Sequence, residues 1–269
     1  MKGMLKNLYK YRFLLQEIVR KNVKLQYRNS FLGIFWTFLQ PLLTTIVLVL
    51  VFGNIFGKDL NALINYPIYL LCGRLIYEFY TQSTKRAMHS ITLSASVIKK
   101  VYVPKYIYPL ANVISTFVTF VISLLVLIAF LAYYLIFTDT MLRLTPYILL
   151  VFVPLIILLI LCIGIGLILS TLEVFFKDIE YLYDVFCMLL FYLTPIFYNV
   201  KSLKLSQPIA MALMANPLYS IVSMFRSCVL YGEMWNWNWF YYSFGFAVFS
   251  VAIGTLLFWR KQDKFILHI

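Results

Sequence analysis

Residues 25–42 read LQYRNSFLGIFWTFLQPL, and this stretch decides the fold. Leu25 to Ser30 belong to a water-facing surface, with Arg28 as its last charge. From Phe31 no charge appears until Lys58. A helix of about 20 apolar residues rises about 30 Å, the thickness of a bilayer's hydrocarbon core. The chain therefore leaves a cytoplasmic face here and enters a membrane.

Composition agrees with that entry. Hydrophobic residues make up 63% of the 269 and charged residues 12%, against about 45–50% and about 25% in soluble domains. No soluble fold of this size covers so much apolar surface. Long uninterrupted apolar runs, rather than alternating dyads, make the fold class all-α and polytopic. The formal charge of +13 fits either a nucleic-acid binder or loops biased by the positive-inside rule and drawn to anionic headgroups. The Lys and Arg lie beside apolar spans, which favours membrane lipids and no nucleic acid. Cys72, Cys162, Cys187 and Cys228 sit in apolar surroundings without a CxxC, as small hydrophobic residues do. The first 18 residues lack the apolar core and cleavage site of a signal peptide.

Upstream of the opening stretch, residues 5–28 form an amphipathic interfacial helix, the core of a segment 1–30. Leu5, Leu8, Tyr11, Leu15, Ile18 and Leu25 recur at steps of three and four, with a break at Asn22. Glu17, Arg20, Lys21, Lys24 and Arg28 take the other side, and Glu17–Lys21 has the i,i+4 spacing of an ion pair. Such a helix lies flat at the headgroups, as an anchor alone or also as a surface for a cytoplasmic partner.

Downstream, residues 31–198 hold five spans. The first, about 33–56, contains Gly53-x-x-x-Gly57, a pattern for close helix packing. The second starts at Tyr66-Pro67 and carries Arg74 and Glu78 four residues apart. Charge inside a bilayer is costly unless paired or wet, so this pair is either a structural bridge or functional. Residues 85–105, KRAMHSITLSASVIKKVYVPK, are too polar to cross and suit one or two short helices ending at Pro104. Spans three (106–137) and four (146–172) follow, with Gly164 and Gly166 permitting close contact in the latter. A charged loop, 173–184, precedes span five, 185–198. Residues 199–238 differ, because two apolar pieces, 208–215 and 218–231, flank Asn216-Pro217 and are too short to cross. They suit a re-entrant helix pair. Trp235, Trp237 and Trp239 mark an interface belt, and span six with its tail occupies 239–269.

Lys and Arg gather in residues 2–28 and 85–105, at Lys177 and in 260–264. The opposite loops hold only Lys58, Arg143, Lys201, Lys204 and Arg226. The bias places both termini in the cytoplasm and requires an even number of spans, in agreement with six.

Enzyme motifs are missing. Gly57-Lys58 is followed by Asp59 and lacks the upstream glycine of a phosphate-binding loop. His89 and His268 have no metal-site spacing, and no G-x-S-x-G occurs. Neither catalytic residues nor a cofactor are expected in this chain. Aromatic residues abound, with 21 Tyr, 24 Phe and 5 Trp. Most pack or face lipid, and some suit the C–H faces of sugar rings along a path.

The stretch from Lys24 to Trp36, continuing to Pro41-Leu42, resembles the opening of the membrane subunits of type-2 ABC exporters for cell-surface polysaccharides. The likeness continues at 66–73, 98–105, 169–178, 193–198 and Asn216-Pro217-Leu218 followed by Arg226, in the family's order. The O-antigen branch is the most similar, with capsule and teichoic acid exporters beside it. The resemblance implies a single ABC-2 type transmembrane domain over 1–269 and a homodimer in the bacterial plasma (inner) membrane. Two separate ATPase subunits would hold ATP and Mg, and a lipid-linked polysaccharide would be the cargo. It implies ATPase coupling through residues 85–105, where His89, Lys99, Lys100, Tyr102 and Pro104 are the candidates. Arg28, Gly33, Trp36 and Pro41 form the interfacial joint. Thr194, Pro195, Asn216, Pro217 and Arg226 belong to the outer gate. The Arg74–Glu78 pair departs from the family's pattern, as do Tyr77 where a Trp is usual and Lys177-Asp178 in place of Arg-Asp. A permease for a drug or small lipid is the alternative within the class, and a membrane-embedded glycosyl or acyl transferase is the alternative outside it.

Overall fold

Pro41 sits inside a helix, and what its missing N–H releases shows how the fold is knit. The computed structural model describes residues 9–28, 30–56, 66–101, 103–137, 145–198, 200 and 207–268. Among them there is helix and no strand. Helix α1 is Arg12–Tyr27. A short 3-10 turn, Gly33–Phe35, leads into α2, Trp36–Phe56. Proline has no N–H to give the carbonyl four residues back, which frees the Thr37 oxygen. The Ser123 hydroxyl of α6 (Ile107–Phe137) reaches that oxygen at 3.1 Å.

Helix α3, Tyr66–Met88, is followed by two single-turn helices, α4 (Ser90–Leu93) and α5 (Ala95–Ile98). After α6, a 3-10 turn at Pro146–Val151 opens α7, Phe152–Phe175. Helix α8 is Ile179–Leu193, α9 is Gln207–Met214, and α10 is Pro217–Arg226, extended by a π turn at Ser227–Tyr231. Helix α11, Trp237–Lys261, and the short α12, Phe265–His268, complete the described chain.

Among the described residues, four segments are long and apolar enough to cross a membrane: Gly33–Gly53, Ile107–Phe137, Pro146–Phe175 and Trp237–His268. The protein is a multi-pass membrane protein. Helix α3 falls outside these four because Arg74, Glu78, Lys85 and Arg86 interrupt it. Most of its side chains are nonetheless buried, since α6, α7, α2 and α10 surround it. The central helix is thus one that protein, not lipid, covers.

The most extensive pairing is α7 with α11. A Cβ on Gly164 would stand 2.5 Å from the Val251 amide nitrogen, and one on Gly166 would meet Ala87 at 2.8 Å. Both glycines allow the close contact expected of them. The Gly53 pattern does not behave this way. A Cβ there would meet Tyr66 only at an ordinary 3.8 Å, and Gly57 lies outside the described residues.

Other expectations need correction. On α1 the packed face includes Asn22, whose amide donates to Asn112 Oδ1 at 3.3 Å, while Leu25 is exposed. The break in the apolar pattern is therefore a polar contact with α6. Glu17 pairs with Arg20 at 3.2 Å, at i,i+3 spacing, rather than with Lys21 at i,i+4. Glu173 belongs to α7, and Glu180 and Asp184 belong to α8, so the charged loop shrinks to a turn at residues 176–178. Span five begins within a helix that starts at Ile179 and ends at Leu193. Trp235 is 4% exposed and belongs to the core, whereas Trp237 faces outward.

Candidate functional site

The predicted residues fall in three regions, and contacts join those of the first. The first is the cluster around Arg226. Its side chain is 4% exposed and, among the described residues, ion-pairs with no carboxylate, although Glu233 lines the same hollow. Instead, Nη1 donates to the Pro195 carbonyl at 2.6 Å, and Nη2 donates to Tyr69 O at 2.9 Å and Ile196 O at 3.1 Å. The guanidinium also lies 3.5 Å from the Tyr69 ring centroid. A buried cation is tolerated when dipoles and π faces replace water. Gly73 leaves the room, since a Cβ there would stand 2.6 Å from Nη2.

The same cluster holds the rest of the gate set. Asn216 caps α10 by accepting from the Leu218 N–H at 3.0 Å, which is what an N-cap side chain does when Pro opens the helix. Its amide donates to Thr194 Oγ1 at 3.0 Å. Thr194, Pro195, Asn216, Pro217 and Arg226 thus tie α10 to the end of α8 and the start of α3. The Tyr69 hydroxyl adds a bond to Tyr198 O at 2.9 Å.

The second group lies around residues 85–105. His89 Nδ1 is 3.4 Å from Glu173 Oε1, and its Nε2 is 3.6 Å from Glu180. Thr92 donates its hydroxyl to Glu173 Oε2, and Lys85 pairs with Asp184 at 2.7 Å. These contacts fasten the loop to the end of α7 and the first turns of α8. His89 is therefore engaged inward. Lys99 and Lys100 are exposed, Pro104 is half-buried, and Tyr102 lies outside the described residues. Sequence reading missed Leu93, Val97 and Val101, which are exposed at spacings of four. That spacing was the available signal, since it puts three apolar side chains on one face. At the loop's end Lys105 donates to Gln262 O at 2.5 Å; burial lowers its pKa, and nearby Asp263 opposes that.

The third group is the joint. Gly33 has φ +51°, a left-handed conformation that a side chain resists, and its N–H is held by Ser30 Oγ at 3.2 Å. Arg28 and Trp36 are exposed on either side of it. Pro41 sits below them, opposite Ser123 as described. Tyr27, at the end of α1, is partly buried, and burial raises its pKa while the Arg86 guanidinium counteracts that. Arg86 in turn donates to Gln26 Oε1 at 2.8 Å, joining α1 to α3. The Arg74–Glu78 pair lies on α3 where it faces α2, and Glu78 borders the same hollow as Trp36 and Pro41 of the joint. Arg74 donates from Nε at 2.9 Å and from Nη2 to the same carboxylate oxygen.

What the geometry offers is two polar clusters at opposite ends of α8, with a joint beside them. Comparison with known proteins decides the class. Residues 14–230 match the family of ABC-2 type transporter membrane proteins.

The chain belongs to the ABC-2 type transporter family.

Among ABC-2 relatives, the O-antigen export system permease protein RfbA of Klebsiella pneumoniae is 27% identical over 255 residues, covering 94% of this chain and 93% of its own. A second Klebsiella pneumoniae protein of that name is 29% identical, covering 82% of each chain. The protein of that name from Myxococcus xanthus is 28% identical over 83% of each. All three are transport permeases by name. Every predicted site residue falls inside the ABC-2 match, which stops just short of Tyr231 and α11.

Proposed function

We propose that this chain is the membrane half of an ATP-driven exporter that moves a lipid-linked, O-antigen-like polysaccharide out of the bacterial cytoplasm. The observation that carries the reading is likeness to O-antigen export permeases along 94% of the chain. The active unit is a homodimer in the plasma membrane with two copies of a separate ATPase, which bind ATP and Mg. Helices α2, α3, α6, α7, α8 and α11 make six crossings, the fifth completed by residues 194–198. Helices α9 and α10 form a re-entrant outer gate, and both termini are cytoplasmic.

In this mechanism the ATPase seats on the exposed face of Leu93, Val97 and Val101, flanked by Lys99 and Lys100. Its movement pulls on His89 and Lys85, and through Glu180 and Asp184 on the first turns of α8. A helix of 15 residues carries displacement about 22 Å along its axis. Its far end is the Thr194–Pro195 segment that Arg226 and Asn216 hold. The chain performs no covalent step; it gates and lines a path.

The test is complementation in a host lacking its own exporter permease. Expression with the cognate ATPase restores surface polysaccharide, and expression without it leaves the polymer inside. Surface polymer in the absence of any ATPase would refute the reading.

A further inference from the structure

Two parallel stripes run along the last turns of α1. Val19, Val23 and Tyr27 recur at intervals of four, and so do Arg20, Lys24 and Arg28 one residue later. Arg28 keeps helical backbone angles past the helix end, so its side chain continues the second stripe. All three cations are exposed. Glu17 pairs with Arg20 at 3.2 Å, whereas Lys24 and Arg28 ion-pair with no carboxylate among the described residues. Like charges four residues apart on a helix repel, so an anion placed beside them is attracted by more than one.

The apolar stripe borders a hollow of about 650 Å³, within the size range of small-molecule pockets. Val19, Val23, Tyr27, Ile34 and Val118 line it, the last from α6, and nearly all of that lining is apolar. Arg20, Lys24 and Arg28 also border it, with aliphatic stems that can lie along the apolar wall while the charged heads stay in water. Arg28 is the last charge before Lys58, so the hollow spans the level where the chain passes from headgroups into hydrocarbon.

This arrangement asks for a ligand with one anionic end and one apolar end. An acidic peptide or a nucleotide would lay unpaired polar groups on the apolar wall. A choline headgroup would bring a cation of its own to the stripe. A phosphate without that cation suits Arg28, whose guanidinium can meet two phosphate oxygens together. We propose that the hollow holds one anionic phospholipid of the surrounding bilayer, with its phosphate at Lys24 and Arg28 and an acyl chain along Val19, Val23, Ile34 and Val118. The site goes beyond a basic helix resting on a charged surface, because a single lipid would bridge α1, the turn at Gly33 and α6. It requires the membrane location of the chain and not the export reading.

The experiment uses the full-length permease with its ATPase, purified in neutral detergent, and native mass spectrometry to count retained lipid. Phosphatidylglycerol and phosphatidylcholine with the same acyl chains are the probes. The wild type is expected to retain phosphatidylglycerol at least about fivefold more, the scale of one or two basic side chains acting on an anionic lipid. Equal retention of the two overturns the proposal. Lys24→Gln with Arg28→Gln should erase the preference, and a preference that persists overturns the headgroup assignment. Val118 is 40% exposed, so Val118→Trp can fill the hollow while every charge stays. It should lower phosphatidylglycerol retention at least about fivefold, since it denies the acyl chain its apolar wall. Unchanged retention in that variant would mean that surface charge alone attracts the lipid, and would overturn the site. Should the double variant fail to fold, Val118→Trp decides by itself. A short-chain polyprenyl diphosphate that displaces phosphatidylglycerol at equal concentration would give the hollow to a different lipid and refute the assignment to a bilayer phospholipid.

Discussion

Gly254 and Gly164 meet face to face where α11 crosses α7. A Cβ on Gly254 would stand 2.5 Å from the Gly164 carbonyl oxygen, and one on Gly164 would stand 2.5 Å from the Val251 nitrogen. The obstacle on both sides is backbone, which cannot rotate away as a side chain can. Gly164→Val is expected to cost at least about 3 kcal/mol, the upper end of overpacking. Thermal unfolding in detergent should show it, and Gly245→Ala, inside α11 with open space around it, should be neutral or stabilising by up to about 1 kcal/mol.

Arg226→Lys keeps the charge and loses the fork. A single ammonium cannot serve Tyr69, Pro195 and Ile196 together, so about 1.5–3 kcal/mol should be lost, the scale of hydrogen bonds to charged groups. Faster proteolysis between α9 and α10 is the expected readout, with export falling in parallel. Unchanged cleavage would mean that the cage does not hold the gate segment.

The released Thr37 carbonyl makes a coupling that a double-mutant cycle can read. Ser123→Ala should cost about 1 kcal/mol in the wild-type chain. In a Pro41→Ala background the restored N–H takes the carbonyl back into the α2 ladder, and the same change should cost almost nothing. Equal costs in both backgrounds would refute the account.

Gly33→Val should lower export more than insertion. No atom lies within 4 Å of a Cβ there, so the cost is conformational, about 1–2 kcal/mol for a left-handed residue. Gly33→Asn, which tolerates that region, should retain most function. Export and membrane-inserted protein, measured together, separate the two effects.

Lys85–Asp184 is partly solvent-exposed at both ends and should contribute no more than about 1 kcal/mol to stability. Its value lies in linkage. Lys85→Asp should uncouple ATP hydrolysis from export, and adding Asp184→Lys should restore coupling. Failure of the reversed pair to rescue would remove α8 from the route.

Much of this was legible in the chain. The long apolar runs, the Asn216-Pro217 break between two short helices and the close-packing glycines of α7 are local patterns, and local sterics and burial enforce them. Charge counting also singled out Arg74–Glu78, because i,i+4 partners meet on any helix. Other contacts depended on which helices touch. The pattern break at Asn22 looked like a fault until Asn112 was seen opposite it. Trp235 read as an interface residue because its neighbours are tryptophans, yet the fold turns it inward.

By itself, the sequence determined a helical, multi-pass chain entering the bilayer near residue 33, since apolar length and charge placement are settled by the solvent on each side. Tertiary structure alone decided that Arg226 is held by carbonyls 157, 31 and 30 residues away and that Thr92 and His89 share the carboxylate of Glu173. It also decided that Ser123 answers Pro41's missing bond. Those partners are brought together by helix packing, and no spacing along the chain encodes which distant backbone group will face a given side chain.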